Sequence, residues 1–175
     1  MILAHIPTGY IASKAFNHDK SIPLTLSSLL FSYWPDLDLV YFYFFDSTKT
    51  FHHYYFPHLP VVMLVVFLVS LPLPFTFRVI RPYYWLFFIN WALHLVMDSY
   101  TGGIAWLYPI RKEIYKLVNN IPAIHSSWVI SFVLHPSFLL EIAITAITLI
   151  LFIFNFSKLN KKHLVRHPNK SDSID

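Results

Sequence analysis

Apolar runs separated by short polar punctuation dominate the chain, and their lengths predict membrane helices. Crossing about 30 Å of hydrocarbon takes about 20 apolar residues, and stretches near that length occupy 22–45, 60–77, 83–100 and 128–156. Residues 2–16 form a shorter apolar stretch, marginal for crossing. Pro60 suits the first turn of its helix. Pro82 and the short RVIRP link at 78–82 predict that 60–77 and 83–100 fold back on each other as an antiparallel hairpin. Pro35 predicts a break in 22–45 with Asp36 opening a new helical turn, and Pro136 a break or kink in 128–156. The expected fold is therefore all-α, a multi-pass transmembrane helical bundle of four to five segments. It divides into a membrane-embedded domain, 1–156, and a polar tail, 157–175, expected to be loose.

Composition sharpens this picture. The chain is 56% hydrophobic and 13% charged, far too apolar for a typical soluble domain. It has no cysteine, which excludes disulfides, iron–sulfur clusters and thiolate zinc sites. Any metal must then be held by imidazole and carboxylate, which suits Zn, Mn, Fe or Ni. The net charge of +4 gathers in short loops and the tail, so it reads as topology, with the lipid bilayer as partner and no nucleic acid. Lys158, Lys161, Lys162, Arg166 and Lys170 place the C-terminus in the cytoplasm. Alternation then puts 101–127 and 46–59 outside, with Arg78 and Arg81 inside. Arg111, Lys112 and Lys116 run against this scheme. The start, MILAHIPTGY, lacks the basic n-region of a secretory signal, so the spans are expected to be retained.

Three groups of metal-binding residue types sit inside or against the apolar segments: WPDLD at 34–38, HHYYFPH at 52–58 and HLVMD at 94–98. Asp and His are costly in lipid and point to function by default. His94 and Asp98, four apart, stack on one helix face; they suit two ligands of one ion, or one ligand and the carboxylate that orients it. Folding the hairpin about residue 80 sets position 58 opposite position 102, so His58 approaches Asp98. His53 and His58 flank Pro57 on a loop, which can converge two imidazoles that a helix would set on different faces. His52 is the spare, an interface residue or a support for the others. Asp36 and Asp38 would point about 200° apart on a regular helix; at a proline-broken start both can turn to one cavity, or they cap the helix. His5 lies on the same predicted side. Glu141, among apolar residues, reads equally as a general acid/base or as a buried partner for His135.

AHIPTGY (4–10), WPDLDLVYFY (34–43), HHYYFPHLP (52–60), HLVMDSYTGGIAWLYP (94–109) and, more weakly, HPSFLLE (135–141) occur in this order. Together they resemble the inner-membrane metal-dependent hydrolases, a bacterial family that includes members described as LexA-binding and is distantly similar to zinc-dependent phospholipases C. The resemblance implies a ligand set at His5, Asp36, Asp38, His53, His58, His94 and Asp98, and phosphoester chemistry. The chain departs from it in two places: Tyr-Tyr-Phe-Pro stands between His53 and His58 where many members carry Arg-Gly-x-Thr, and SYTGGIAWLYP follows Asp98. Substrate identity is therefore left open.

The sequence thus predicts a membrane-embedded hydrolase of the inner membrane, its site facing the outer side. One or two divalent metals, zinc before Mn or Fe, would be held by His5, Asp36, His53, His58, His94 and Asp98. Asp38 and Glu141 are the candidate catalytic groups, and the substrate is a small-molecule or lipid-type ester or phosphoester. The alternatives are an intramembrane ion or proton transporter or sensor, or a regulatory membrane protein without catalysis.

Overall fold

In the computed structural model, which describes residues 3–16, 21–48, 50–118, 121–122 and 124–166, the main elements are α1 (His5–Phe16), α2 (Ile22–Tyr33), α3 (Asp38–Phe44), α4 (Pro60–Ser70), α5 (Leu73–Thr76), α6 (Arg81–Thr101), α7 (Trp128–Val133) and α8 (Phe138–Arg166). Short 3-10 turns cover Pro35–Leu37, His52–Tyr54, Phe56–His58 and Arg78–Ile80. Among the described residues there is no strand, only a single antiparallel bridge between Ile104 and Tyr115. Residues 17–20 of the first predicted turn and the end of the tail, 167–175, lie outside the described residues. Helix α8 runs into the basic stretch as far as Arg166, so position 157, where the sequence places the start of a loose tail, is not a helix end.

Side-chain contacts fix how the helices run. Leu24 and Leu86 share one apolar cluster, Asn90 Nδ2 donates to Ser28 Oγ at 2.9 Å, and His94 Nδ1 donates to the Ser32 carbonyl at 2.8 Å. The two series climb together, so α2 and α6 are parallel. Ala12 packs with Leu86 while His5 reaches Asp98, so α1 runs antiparallel to α6. Helix α8 follows α1: Thr148 Oγ1 donates to the Pro7 carbonyl, and Phe152 meets Tyr10 edge to face. Helix α4 returns along α6 as the hairpin expectation had it, with Phe67 against Tyr84 and Phe88 and Tyr84 Oη donating to the Phe67 carbonyl at 2.9 Å. The starts of α1, α4 and α8 and the ends of α2 and α6 therefore share one end of the bundle.

Small and polar residues make the closest helix contact. Ser28 Oγ donates to the Gly9 carbonyl at 2.7 Å and accepts from Asn90, and Gly9, Ser13, Ser28 and Ser32 are all buried. Packing through small residues and inter-helix hydrogen bonds is how helices associate where water supplies no hydrophobic drive. The larger apolar core, Tyr84, Phe88, Trp91, Leu95 and Ile104, lies on the other face of α6. Outside these contacts the helices present Leu26, Leu30, Val69, Ile142, Ile150 and Phe154 to the exterior.

The expectation of four to five spans is not met by uninterrupted helices. Among the described residues one helix, Phe138–Ser157, is long and apolar enough to cross a membrane; Ile22–Tyr33 and Pro60–Thr76 are apolar but shorter. The reasons are local. Pro35 turns 22–45 into α2, a 3-10 turn and α3; Pro72 and Pro74 divide 60–77; and 128–156 splits into α7 and α8 around Pro136. At 12 residues, α2 reaches only about 18 Å. Helix α6 has the length but carries Asn90, His94 and Asp98 from its middle onward.

A Cβ on Gly9 would lie 2.5 Å from Ser32 Oγ and 2.8 Å from the Ser28 carbonyl oxygen, and the backbone atom cannot move aside alone. Gly9→Ala should therefore force α1 off α2 and destabilise the detergent-solubilised protein by roughly 1–3 kcal/mol, the usual cost of overpacking. Leu30→Ala, at a residue 73% exposed on the same helix pair, should leave the thermal transition nearly in place. Equal transitions for the two variants would show that this contact is loose.

Candidate metal centre

Five segments deliver polar side chains to the shared end of the bundle. His5 opens α1, and Asp36 and Asp38 follow α2 across the proline break. His53 and His58 each sit in a 3-10 turn before α4, and His94 and Asp98 close α6. All seven are buried, with His5, His58, His94 and Asp98 at 2% exposure or less. Asp36, His58, His94 and Asp98 each offer one donor atom within 4.8 Å of the others.

The distances among these four are informative. His94 Nε2 lies 3.1 Å from Asp98 Oδ2 and 3.5 Å from Asp36 Oδ1; His58 Nε2 lies 3.5 Å from Asp98 Oδ2 and 3.6 Å from Asp36 Oδ1. An N–H···O hydrogen bond is usually about 2.9 Å. Ligands of a tetrahedral zinc, bonded at about 2.0–2.2 Å, stand about 3.3–3.6 Å apart. Three of the four separations, 3.5, 3.5 and 3.6 Å, fall in the second range, and the 3.1 Å contact is within hydrogen-bond length.

The far sides of three rings are tied down. His94 Nδ1 donates to the Ser32 carbonyl at 2.8 Å, His53 Nδ1 to the Gly103 carbonyl at 2.7 Å, and His58 Nδ1 to Asp38 Oδ2 at 2.7 Å. A carbonyl only accepts, so His94 and His53 carry the proton on Nδ1, and each Nε2 faces the centre. That is the support metal-binding imidazoles commonly have, an outer hydrogen bond fixing tautomer and ring plane. Inside the cluster, His58 Nε2, His94 Nε2 and both His5 nitrogens are buried without a hydrogen-bond partner. Orphaned buried nitrogens cost about 1–3 kcal/mol each. This donor set therefore fits a divalent cation.

Proline chemistry explains how two aspartates only two apart serve one ring. In the 3-10 turn after Pro35 the backbone stays right-handed helical, with Leu37 at φ −62° and ψ −19° and Asp38 at −66° and −19°. Asp36 then reaches His58 Nε2 and Asp38 reaches His58 Nδ1, so the carboxylates bracket opposite edges of the imidazole. Burial alone would depress the His58 pKa, but the carboxylates of Asp36, Asp38 and Asp98 outweigh it and push it up to about 11. His53, with burial dominant and Asp98 pulling only partway back, is driven down to about 3.

The structure brings His5, Asp36, Asp38, His53, His58, His94 and Asp98 together, and leaves Glu141 aside. His5 stacks on His94 with ring centres 3.8 Å apart, its Nε2 3.2 Å from Asp98 Oδ1. His53 Nε2 lies 3.8 Å from Asp98 Oδ2. Glu141 is buried in the first turn of α8, where its Oε2 accepts the Leu3 backbone N–H. It braces the segment that leads into His5 and is outside the metal-spaced groups. His135, its suggested partner, bonds Ser137 instead.

Sequence reasoning passed over the two glycines after α6. Gly103, at φ 88°, ends the helix in the left-handed conformation that glycine favours, and its carbonyl holds His53. A Cβ on Gly102 would lie 2.4 Å from His53 Cε1. The available signal was the pair itself, since the chain holds only three glycines. The Ser32 carbonyl, a backbone acceptor, leaves no mark in sequence.

Comparison with protein families matches residues 1–162 to the YdjM inner membrane protein family. The site and the bundle are thus those of an inner membrane protein, and the chain belongs to the YdjM inner membrane protein family. Comparison with curated proteins and with solved structures gives no match.

Gly102 has φ −74° and ψ −46°, which any residue adopts, so Gly102→Ala is a steric probe of His53 alone. It should displace the imidazole and weaken Zn2+ binding by about tenfold, comparable to the loss of an outer support, with folding retained. Unchanged affinity in a Zn2+ titration of purified protein would separate His53 from the centre.

Proposed function

We propose that the protein is a membrane-embedded, metal-dependent hydrolase acting on an ester or phosphoester. The observation that carries this reading is the convergence of Asp36, His58, His94 and Asp98, three of their separations at 3.5–3.6 Å, around orphaned nitrogens. Zinc fits that set best, with Mn or Fe as substitutes. A bound cation of this kind supplies Lewis-acid polarisation and an activated water. His94 and His58 would hold it through Nε2, and Asp36 and Asp98 would neutralise it. Asp38 keeps His58 in register and, with its second oxygen buried and unpartnered, is the nearest candidate to take a proton. Glu141 serves in this reading as a brace for the start of α1, not as the acid/base.

A basic wall supports an anionic substrate. Arg111, Lys112 and Lys116 are exposed on an excursion pinned to the site: Tyr54 Oη donates to the Lys112 carbonyl at 2.7 Å, and Ile104 and Tyr115 exchange backbone hydrogen bonds. Tyr54 adjoins His53, and Lys116 Cβ packs 3.2 Å from where a Cβ on Gly103 would stand. Three cations here, against the topological bias, suit a phosphoester, and the apolar exterior suits a lipid-linked one. In the bilayer we place the site end outward and the C-terminus in the cytoplasm, with α2–α3, α4–α5, α6 and α8 as segments that traverse it together. Transport is the less favoured reading, because 66–77 and 83–90 hold no acidic, basic or imidazole side chain.

Purified protein should carry divalent metal, and Asp98→Asn should lose most of it while still inserting and folding. Asp98→Asn keeps the shape and one acceptor but removes a charge facing His5, His58 and His94. His94→Ala should behave the same way. A purely structural network predicts the reverse, a lower thermal transition by about 1–3 kcal/mol with metal content unaltered. Elemental analysis beside thermal unfolding decides between them.

Orientation has its own test, aided by the absence of native cysteine. Ser47→Cys, at an exposed position in the 46–59 loop, should react with an impermeant maleimide from the outer side, and Ser173→Cys only from the cytoplasm. The opposite pattern overturns the assigned orientation.

A further inference from the structure

His52 stands next to the centre without a place in it. Its Nδ1 is buried and unpartnered, as is Asp38 Oδ1, and these two atoms face each other at 3.5 Å. That separation again exceeds a hydrogen bond, about 2.9 Å, and matches the edge between two ligands of one cation, about 3.3–3.6 Å. His52, His53 and His58 also offer one nitrogen each within 4.8 Å of one another. Two groups of metal-ligand spacing therefore meet at the His58 ring.

We infer that the protein holds a second divalent cation between His52 Nδ1 and Asp38 Oδ1, beside the one held by Asp36, His58, His94 and Asp98. The inference rests on the metal-dependent reading above. Asp38 is what joins the two positions. Its Oδ2 accepts the His58 Nδ1 proton at 2.7 Å, while Oδ1 is left for the second ion. One carboxylate thus orients a ligand of the first cation and binds the second, and with both ions bound Asp38 is a ligand in place of the proton acceptor it would be in a single-metal site. Charge supports the same assignment: Asp36, Asp38 and Asp98 supply three negative charges, of which one divalent ion offsets only two.

The two positions differ in access. His94 and Asp98 are 1% exposed, whereas the His52 side chain is 20% exposed. The second cation lies at the outer rim, where solvent and a substrate oxygen complete its shell. It is consequently the weaker and more exchangeable of the two. Pairs of ions a few ångströms apart clamp both the attacking and the leaving oxygen of a phosphoester, so the second position would deepen the hydrolase reading.

The test is metal stoichiometry. Detergent-purified full chain is stripped with chelator, reloaded with Zn2+ and analysed for zinc per protein, beside His52→Ala and His94→Ala. Two equivalents in the wild type and one in His52→Ala, with the remaining ion bound within about threefold of its wild-type affinity, support the second position. His94→Ala should abolish the tighter ion. One equivalent in both wild type and His52→Ala overturns the inference and leaves the single-metal reading standing. Two equivalents in both overturn it as well, and place the second ion elsewhere. No zinc in any sample removes both readings. Because the His52 side chain is partly exposed, its removal should not unfold the protein; an unchanged thermal transition checks this, and His52→Gln repeats the count with bulk retained.

Discussion

Two buried carboxylates facing unprotonated imidazole edges are the constraint on which the rest depends. Asp36 and Asp98 bring donor atoms within 4.8 Å of each other, a repulsion of at least about 3 kcal/mol even at an effective dielectric of about 20. The Nε2 atoms of His58 and His94 lie between them and, as neutral rings, would add lone pairs to the same space. A proton on His58 would relieve the conflict only in part, and the facing carboxylates raise its pKa for that reason. A divalent cation relieves it wholly, since it satisfies both carboxylates and both nitrogens at once. The spacing of the four groups sits closer to that solution than to a chain of hydrogen bonds.

The fold can be understood as the apparatus that keeps this cluster at one depth. Parallel α2 and α6 climb in step, 24 with 86, 28 with 90 and 32 with 94, so the end of α2 stands beside His94 and its carbonyl takes the Nδ1 proton. The tight α1–α2 contact at Gly9 draws His5 onto His94. The α4–α6 hairpin carries the 52–58 loop inward, where Trp91 Nε1 donates to the Pro57 carbonyl at 2.6 Å and holds His58 against Asp98. The loop's 3-10 turns are held in place by Trp91 on α6 and by the Gly103 carbonyl just beyond it.

Much of this was legible in the sequence, and what was not has physical causes. Helical class, the α4–α6 hairpin, the break at Pro35 and the grouping of seven His and Asp side chains follow from apolar run length, proline position and the rarity of such residues in apolar segments. The break at Pro136 was legible as well, but hydropathy could not show that 60–77 is interrupted, because Pro72 and Pro74 leave the mean polarity unchanged while ending the helix. Glu141 looked catalytic for the reason that makes it a good brace: a carboxylate among apolar residues needs a donor, and the Leu3 N–H is one that sequence cannot locate. His52 looked spare because its partner, Asp38, lies 14 positions away across a loop whose path no periodicity encodes.

The same interruptions that spoil the simple membrane-span reading are what allow the centre to form. An uninterrupted helix fixes its side chains at 100° per residue, so Asp36 and Asp38 on one would diverge by about 200° and at most one could face the cluster. The 3-10 turn after Pro35 brings both to one imidazole, and the paired 3-10 turns at 52–58 do the same for His53 and His58, whose rings stack 4.7 Å apart. A regular helix aligns side chains three or four apart, as α6 does with His94 and Asp98. Bringing residues two apart, Asp36 and Asp38, to one imidazole thus requires their segment to leave helical geometry near the site end. That requirement accounts for the placement of Pro35 and Pro57, each beside residues that reach the centre. It also accounts for the unbroken run of α8, whose Glu141 lies outside the cluster.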